Sequence, residues 1–128
     1  MLDIDLKTIS RSKQRYPTVG DYFTKPNGRE HTSVRVSEMG NWRYEFLVGV
    51  HELVEWALIR YHGVSEQEVD AWDLKYEAER KAGDLSESGD AVGCPYAREH
   101  TFATCVERLV AIALDVNWKE YNKFIEEL

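Results

Sequence analysis

Apolar and polar positions alternate at the start of the chain and then switch period. Leu2, Ile4 and Leu6 interleave with Asp3, Asp5 and Lys7, the two-residue period of a half-buried strand. Tyr16 to Phe23 and Glu30 to Val36 flank the turn-forming stretch Lys25-Pro26-Asn27-Gly28 and read as a hairpin, with Val34 and Val36 inward and Arg35 outward. From Asn41 the period becomes helical. Asn41 caps a first helix that runs to about His62, where Gly63 stops it. Ser65 and Glu68 make a capping box for a second helix over about 66–82, ended by Gly83. Its apolar face of Val69, Trp72 and Tyr76 is narrow, which places it on the surface. A polar Gly/Ser/Asp-rich connection, 83–93, precedes Pro95, which suits the first turn of a third helix over about 95–114. Asn117 with Glu120 opens a short last helix that docks through Trp118, Tyr121 and Ile125. The expectation is a single α+β domain over 1–128. A small antiparallel sheet (1–38) packs against about four helices (41–128), the first and third adjacent.

Two helical runs are apolar nearly all round, and their exceptions are informative. FLVGVHELVEWALI, Phe46 to Ile59, is broken only by His51, Glu52 and Glu55. TFATCVERLVAIAL, Thr101 to Leu114, follows His100 and is broken by Glu107 and Arg108. Ionisable groups on a buried helix are expensive unless paired, hydrogen-bonded or bound to a metal. At ~100° per residue, His51, Glu55 and His62 fall within ~40° of one another. Phe46, Val50, Leu53, Val54 and Ala57 occupy the opposite arc and read as core. His51 and Glu55 can converge on one ion from successive turns, and Glu52 between them is placed to polarise a bound water.

On the third helix His100 and Glu107 share a stripe with only Ala103, Thr104 and Ala111, leaving room for a ligand or a neighbouring helix. They stand ~10 Å apart along the axis, so one is a direct ligand and the other a supporting partner, or there are two ions. The ligand set expected is therefore His51, Glu55 and His100, with Glu107 or Asp73 completing or supporting it and Glu52 as general base. Zinc suits these donors, and the carboxylates also admit manganese or magnesium. The competing expectation is a buried His/Glu network that locks helices together without a metal. Asp70, Asp73 and Glu77 individually read as a solvated face, His62 as a helix C-terminal charge, Cys105 as a small core residue, and the 83–93 connection as idle rather than a lid.

Composition narrows the field only slightly. Hydrophobic residues at 43% and aromatics at 12% argue for a folded chain rather than disorder. A net charge of −7 argues against an extended nucleic-acid surface or an anionic-membrane surface. The one basic cluster, Arg11, Lys13 and Arg15, reads as a solvated loop. Cys94 and Cys105 form neither a disulfide framework nor a paired thiol motif, and no run reaches the ~20 apolar residues of a membrane span. The expected location is the cytoplasm.

HELVE at 51–55, Asp70-x-x-Asp73, Gly89-Asp90, Pro95-Tyr96 and Glu99-His100 followed by Glu107 together resemble a group of small phage- and prophage-encoded proteins of no assigned activity. That resemblance covers nearly the whole chain and implies a bacterial host cytoplasm. HELVE and its context are also similar to minimal zincin metallopeptidases, in which His-Glu-x-x-His carries zinc, with Glu55 here in the place of the second histidine. This similarity implies a metal-dependent hydrolase acting on a peptide or another small molecule. Glu52, Glu55, Asp70 and Asp73 are similar to the acidic pairs of all-helical nucleotide pyrophosphohydrolases, which implies magnesium and a nucleotide. A third expectation is a non-enzymatic host-interaction or anti-defence protein, with a host protein as partner.

Overall fold

The computed structural model describes residues 1–25 and 30–128. The expected turn residues Pro26, Asn27 and Gly28 lie outside these. Strands β1 (Ile4–Ile9), β2 (Gly20–Lys25) and β3 (His31–Ser37) precede helices α1 (Trp42–His62), α2 (Glu66–Ala78), α3 (Ala97–Ala113) and α4 (Trp118–Glu126). The α+β class and the sheet-then-helices order match expectation.

The sheet is mixed rather than wholly antiparallel, in the order β1-β3-β2. β2 and β3 pair antiparallel with Tyr22 opposite Val34, while β1 lies parallel to β3 with Leu6 opposite Val34. Parallel neighbours need a dozen or more residues of connection, and β2 with its flanking segments supplies them. Val34 and Val36 are fully buried on the inner face. The outer face is polar. His31, which had no apparent partner in sequence, contacts Asp3 and Asp5 at 3.2 Å each. Arg15 is not a solvated loop residue: it pairs with buried Asp21 at 2.7 Å and reaches Asp70 of α2 at 3.1 Å. This clamp fixes α2 beside the edge strand β2.

The caps act as read from sequence. Asn41 accepts from the Arg43 and Tyr44 N–H groups, and Gly63 ends α1 with φ 75°. Ser65 and Glu68 form a reciprocal capping box, and Asn117 accepts from the Glu120 N–H. Two ends differ. α2 stops at Ala78, short of Gly83, because its narrow apolar face runs out of partners. α3 begins at Ala97, two residues after Pro95.

The core joins Tyr22, Val34, Val36, Leu47, Val48, Trp56, Ile59, Val69, Tyr96, Ala111 and Tyr121. α1 is its spine. One face meets the sheet, where Gly49 admits Leu6 and Gly20 admits Val48 and Glu52, and another runs along α3. The inward side of α1 is opposite to the one expected. Leu47, Val48, His51, Glu55, Trp56 and Ile59 are buried, whereas Phe46 and Ala57 are exposed and Val50, Leu53 and Val54 half-buried. The polar residues point inward because they have partners there. Leu47 is fully buried. Leu47→Ala should therefore lower stability by about 2–5 kcal/mol in urea unfolding. A loss below about 1 kcal/mol would contradict this placement.

Candidate metal centre

α1 and α3 run antiparallel in contact, as Arg43 donating to the Leu114 carbonyl at one end and His62 meeting Glu99 at the other show. Midway between, His51 and Glu55 project from successive turns of α1 toward His100 in the first turn of α3. His51 Nε2 lies 3.1 Å from Glu55 Oε2, His100 Nδ1 lies 3.0 Å from the same oxygen, and the two ring nitrogens are 3.2 Å apart. Three donor atoms thus converge from three buried residues, close enough to hold a metal ion.

The far side of each of these groups is tied to another residue. His51 Nδ1 is 2.9 Å from Glu107 Oε1, and the Tyr121 hydroxyl donates to Glu107 Oε2 at 2.6 Å. His100 Nε2 is 2.9 Å from Glu87 and 3.4 Å from Asp90. The Tyr22 hydroxyl donates to Glu55 Oε1 at 2.8 Å, leaving Oε2 for the histidines. The sheet, α4 and the 83–93 connection each therefore orient one member of the triad.

Electrostatics follow from this crowding. Burial works against protonation of His51 but is outweighed by its bonds to Glu107 and Glu55, and its pKa is raised well above the ordinary value. Burial also pulls His100 down, yet Glu55 and Glu87 hold it up at about 10. Glu55 is held down to about 2, because His100 and His51 overcome the opposing effect of burial. Glu52 has the opposite fate. Burial and the neighbouring Glu55 charge push its carboxyl well above the usual range.

A cavity of about 620 Å³ opens beside the triad, lined by His51, Glu52, Glu55, His100 and Glu107 and by Asp70 and Asp73 of α2. Asp73 is not brought into the convergent cluster. Ser88 Oγ (2.8 Å), Tyr16 (3.3 Å) and Tyr96 donate to it, and burial raises its pKa. It is a buttress of the cavity wall rather than a solvated residue, while Glu77 pairs with Arg80 and Asp70 with Arg15. Glu107 supports His51 instead of joining the donor cluster, as the ~10 Å separation along α3 anticipates.

Three further expectations are corrected. Cys105 is exposed, not core. His62 does more than end α1, meeting the buried Glu99 of α3 at 2.9 Å. The 83–93 connection is not idle: it delivers Glu87 and a 3₁₀ turn, Ser88–Asp90, onto His100. Gly89 is the reason this turn can lie so close, since a Cβ there would sit 2.3 Å from the His100 ring. Gly89→Ala should displace the ring and weaken metal affinity by about 10–100-fold, the usual loss when support of a ligand is disturbed. Unchanged affinity in a chelator competition would show that the ring position does not matter. Sequence reasoning missed Glu87, Tyr22 and Tyr121 as supports, and only the acidity of the loop hinted at the first.

No protein-family model, curated protein or solved structure matches the chain. Among the described residues no helix is long and apolar enough to cross a membrane.

Proposed function

We propose that the protein is a metal-dependent hydrolase in which His51, Glu55 and His100 hold one divalent ion, zinc foremost. The observation that carries this reading is the backing of both convergent imidazoles. Each has its far nitrogen on a carboxylate, Glu107 or Glu87, the arrangement that orients metal-bound histidine and raises its basicity. Two imidazole nitrogens and one carboxylate oxygen are the donor set of several catalytic zinc sites, which keep a fourth position open. Without an ion, the two ring nitrogens 3.2 Å apart and Glu55 Oε2 share their contacts only with one another.

The ion would supply an activated water and polarise the scissile group. Glu52, held against Gly20 at the cavity wall, would be the residue to hold and pass on a proton beside such an ion. A nearby cation lowers a carboxyl pKa, so loading the site shifts Glu52 from acid toward base. The cavity volume suits a small molecule or a short peptide segment. Its lining, acidic apart from Arg11, Arg80 and the two histidines of the triad, disfavours a polyphosphate. The pyrophosphohydrolase-like alternative is weaker also because Asp70 and Asp73 already have Arg15 and three hydroxyls as partners.

Elemental analysis of protein purified without chelator or metal-affinity resin tests the proposal. One zinc or manganese per chain, with hydrolysis of a peptide library, supports it. Iron as the bound metal would redirect the site toward oxygen chemistry, which two histidines and a carboxylate also serve. Phosphate release from nucleotides without peptide cleavage would favour the magnesium alternative. The phage resemblance and a host cytoplasmic setting stay with this proposal as its biological frame.

A further inference from the structure

Among the described residues, the outer side of the α1–α3 pair is left exposed and is largely apolar. Trp42, Phe46 and Tyr61 on α1 and Phe102, Leu109 and Ile112 on α3 are each 47–85% exposed. At ~100° per residue they form one arc on each helix, turned away from the buried side that carries the metal ligands. Val50, Val54 and Val106 on the same two helices are half-buried.

We infer that this face joins two copies of the chain in a two-fold dimer. Three observations point to a second copy. The first is area. A fully exposed aromatic offers ~150–250 Å², so the six side chains present on the order of 700 Å² of apolar surface. That exceeds the ~300–600 Å² of the largest patch on an ordinary monomer and approaches the ~800 Å² per partner of a stable interface. The second is charge. The chain carries −7 overall, yet neither arc holds an acidic residue. Glu45 turns back to the Met39 N–H, Glu52 and Glu55 face the cavity, and Glu99 and Glu107 are buried. Two copies therefore meet here without carboxylate repulsion, and the two arginines at arc positions, Arg60 and Arg98, are already paired with Glu30 and Glu99. The third is shape. Two long antiparallel helices with one apolar side are self-complementary about a two-fold axis, and pairing them makes a four-helix layer with a sheet outside on each half. This inference does not depend on the metal.

Sedimentation equilibrium on the metal-loaded and metal-free chain tests it. The expected mass is twice 14.9 kDa, falling to one copy in the double variant L109E/I112E with an unchanged circular dichroism spectrum. Phe46→Lys on the other helix gives an independent variant should the first unfold. Exposed Cys105 lies between the α3 side chains, so its alkylation should be slow in the dimer and several-fold faster in either variant. A monomer through the high micromolar range would overturn the inference and leave the face to a different protein or a lipid surface. A dimer that persists in both folded variants, with Cys105 reactive throughout, would overturn it equally.

Discussion

Replacing His51 with alanine is expected to abolish stoichiometric metal binding and the thermal stabilisation that metal confers on the wild-type protein. In the proposed site His51 is one of three convergent donors and is tied to Glu107 and, through it, Tyr121, so both the ligand and its support disappear together. With metal at about one hundred times its Kd, a native-state site adds about 2.7 kcal/mol of stability. For a chain of this size that is on the order of 10 °C in Tm. The effect has a defined pH sense. In the metal-free protein His100 is raised from 6.5 to about 10. Its protonated contacts stabilise the fold fully below about 6.5, and that contribution fades as pH climbs toward 10. Metal competes with those protons, so the metal-induced increment must grow across the same window. Scanning calorimetry of wild type and His51→Ala, with and without zinc or manganese at several pH values, checks both statements. A wild-type Tm that neither metal moves at any pH would sink the metal centre and leave a structural network.

The second large effect is expected from Glu52→Gln. It should leave metal content and fold intact while lowering turnover by about 10²–10⁴-fold, the range over which a positioned acid or base acts. The fold should tolerate the change because burial and the Glu55 charge already disfavour the ionised Glu52 carboxylate, and the amide has nearly the same shape. Single-turnover assays beside elemental analysis separate the outcomes. Loss of metal would make Glu52 a ligand and favour the pyrophosphohydrolase-like arrangement. Retained turnover would remove it from the chemistry.

The termini of helices and the class of fold were legible in the sequence because their causes are local. Asn41, Gly63, the Ser65–Glu68 box and Asn117 act on backbone groups within a few residues. The convergence of His51, Glu55 and His100 was legible for a related reason. A histidine and a carboxylate four residues apart on an otherwise apolar helix need partners, and the second such helix supplied His100. What failed was the sense of inside and outside on α1. Hydrophobicity alone put Phe46, Val50, Leu53, Val54 and Ala57 in the core, yet the protein turns His51 and Glu55 inward because Tyr22, His100 and Glu107 wait there. Burying a charge is governed by what it meets, and the partners come from β2 and α3, with α4 supporting Glu107 through Tyr121.

The parallel pairing of β1 with β3, the seating of Glu87 on His100 across Gly89 and the use of Asp73 as a hydroxyl acceptor are likewise long-range matters. Each depends on which surfaces meet after the elements exist. Spacing within an element thus determined the positions of candidate ligands. Contacts between elements decided which of them share a site, because convergence, desolvation and second partners arise only when separate segments pack together.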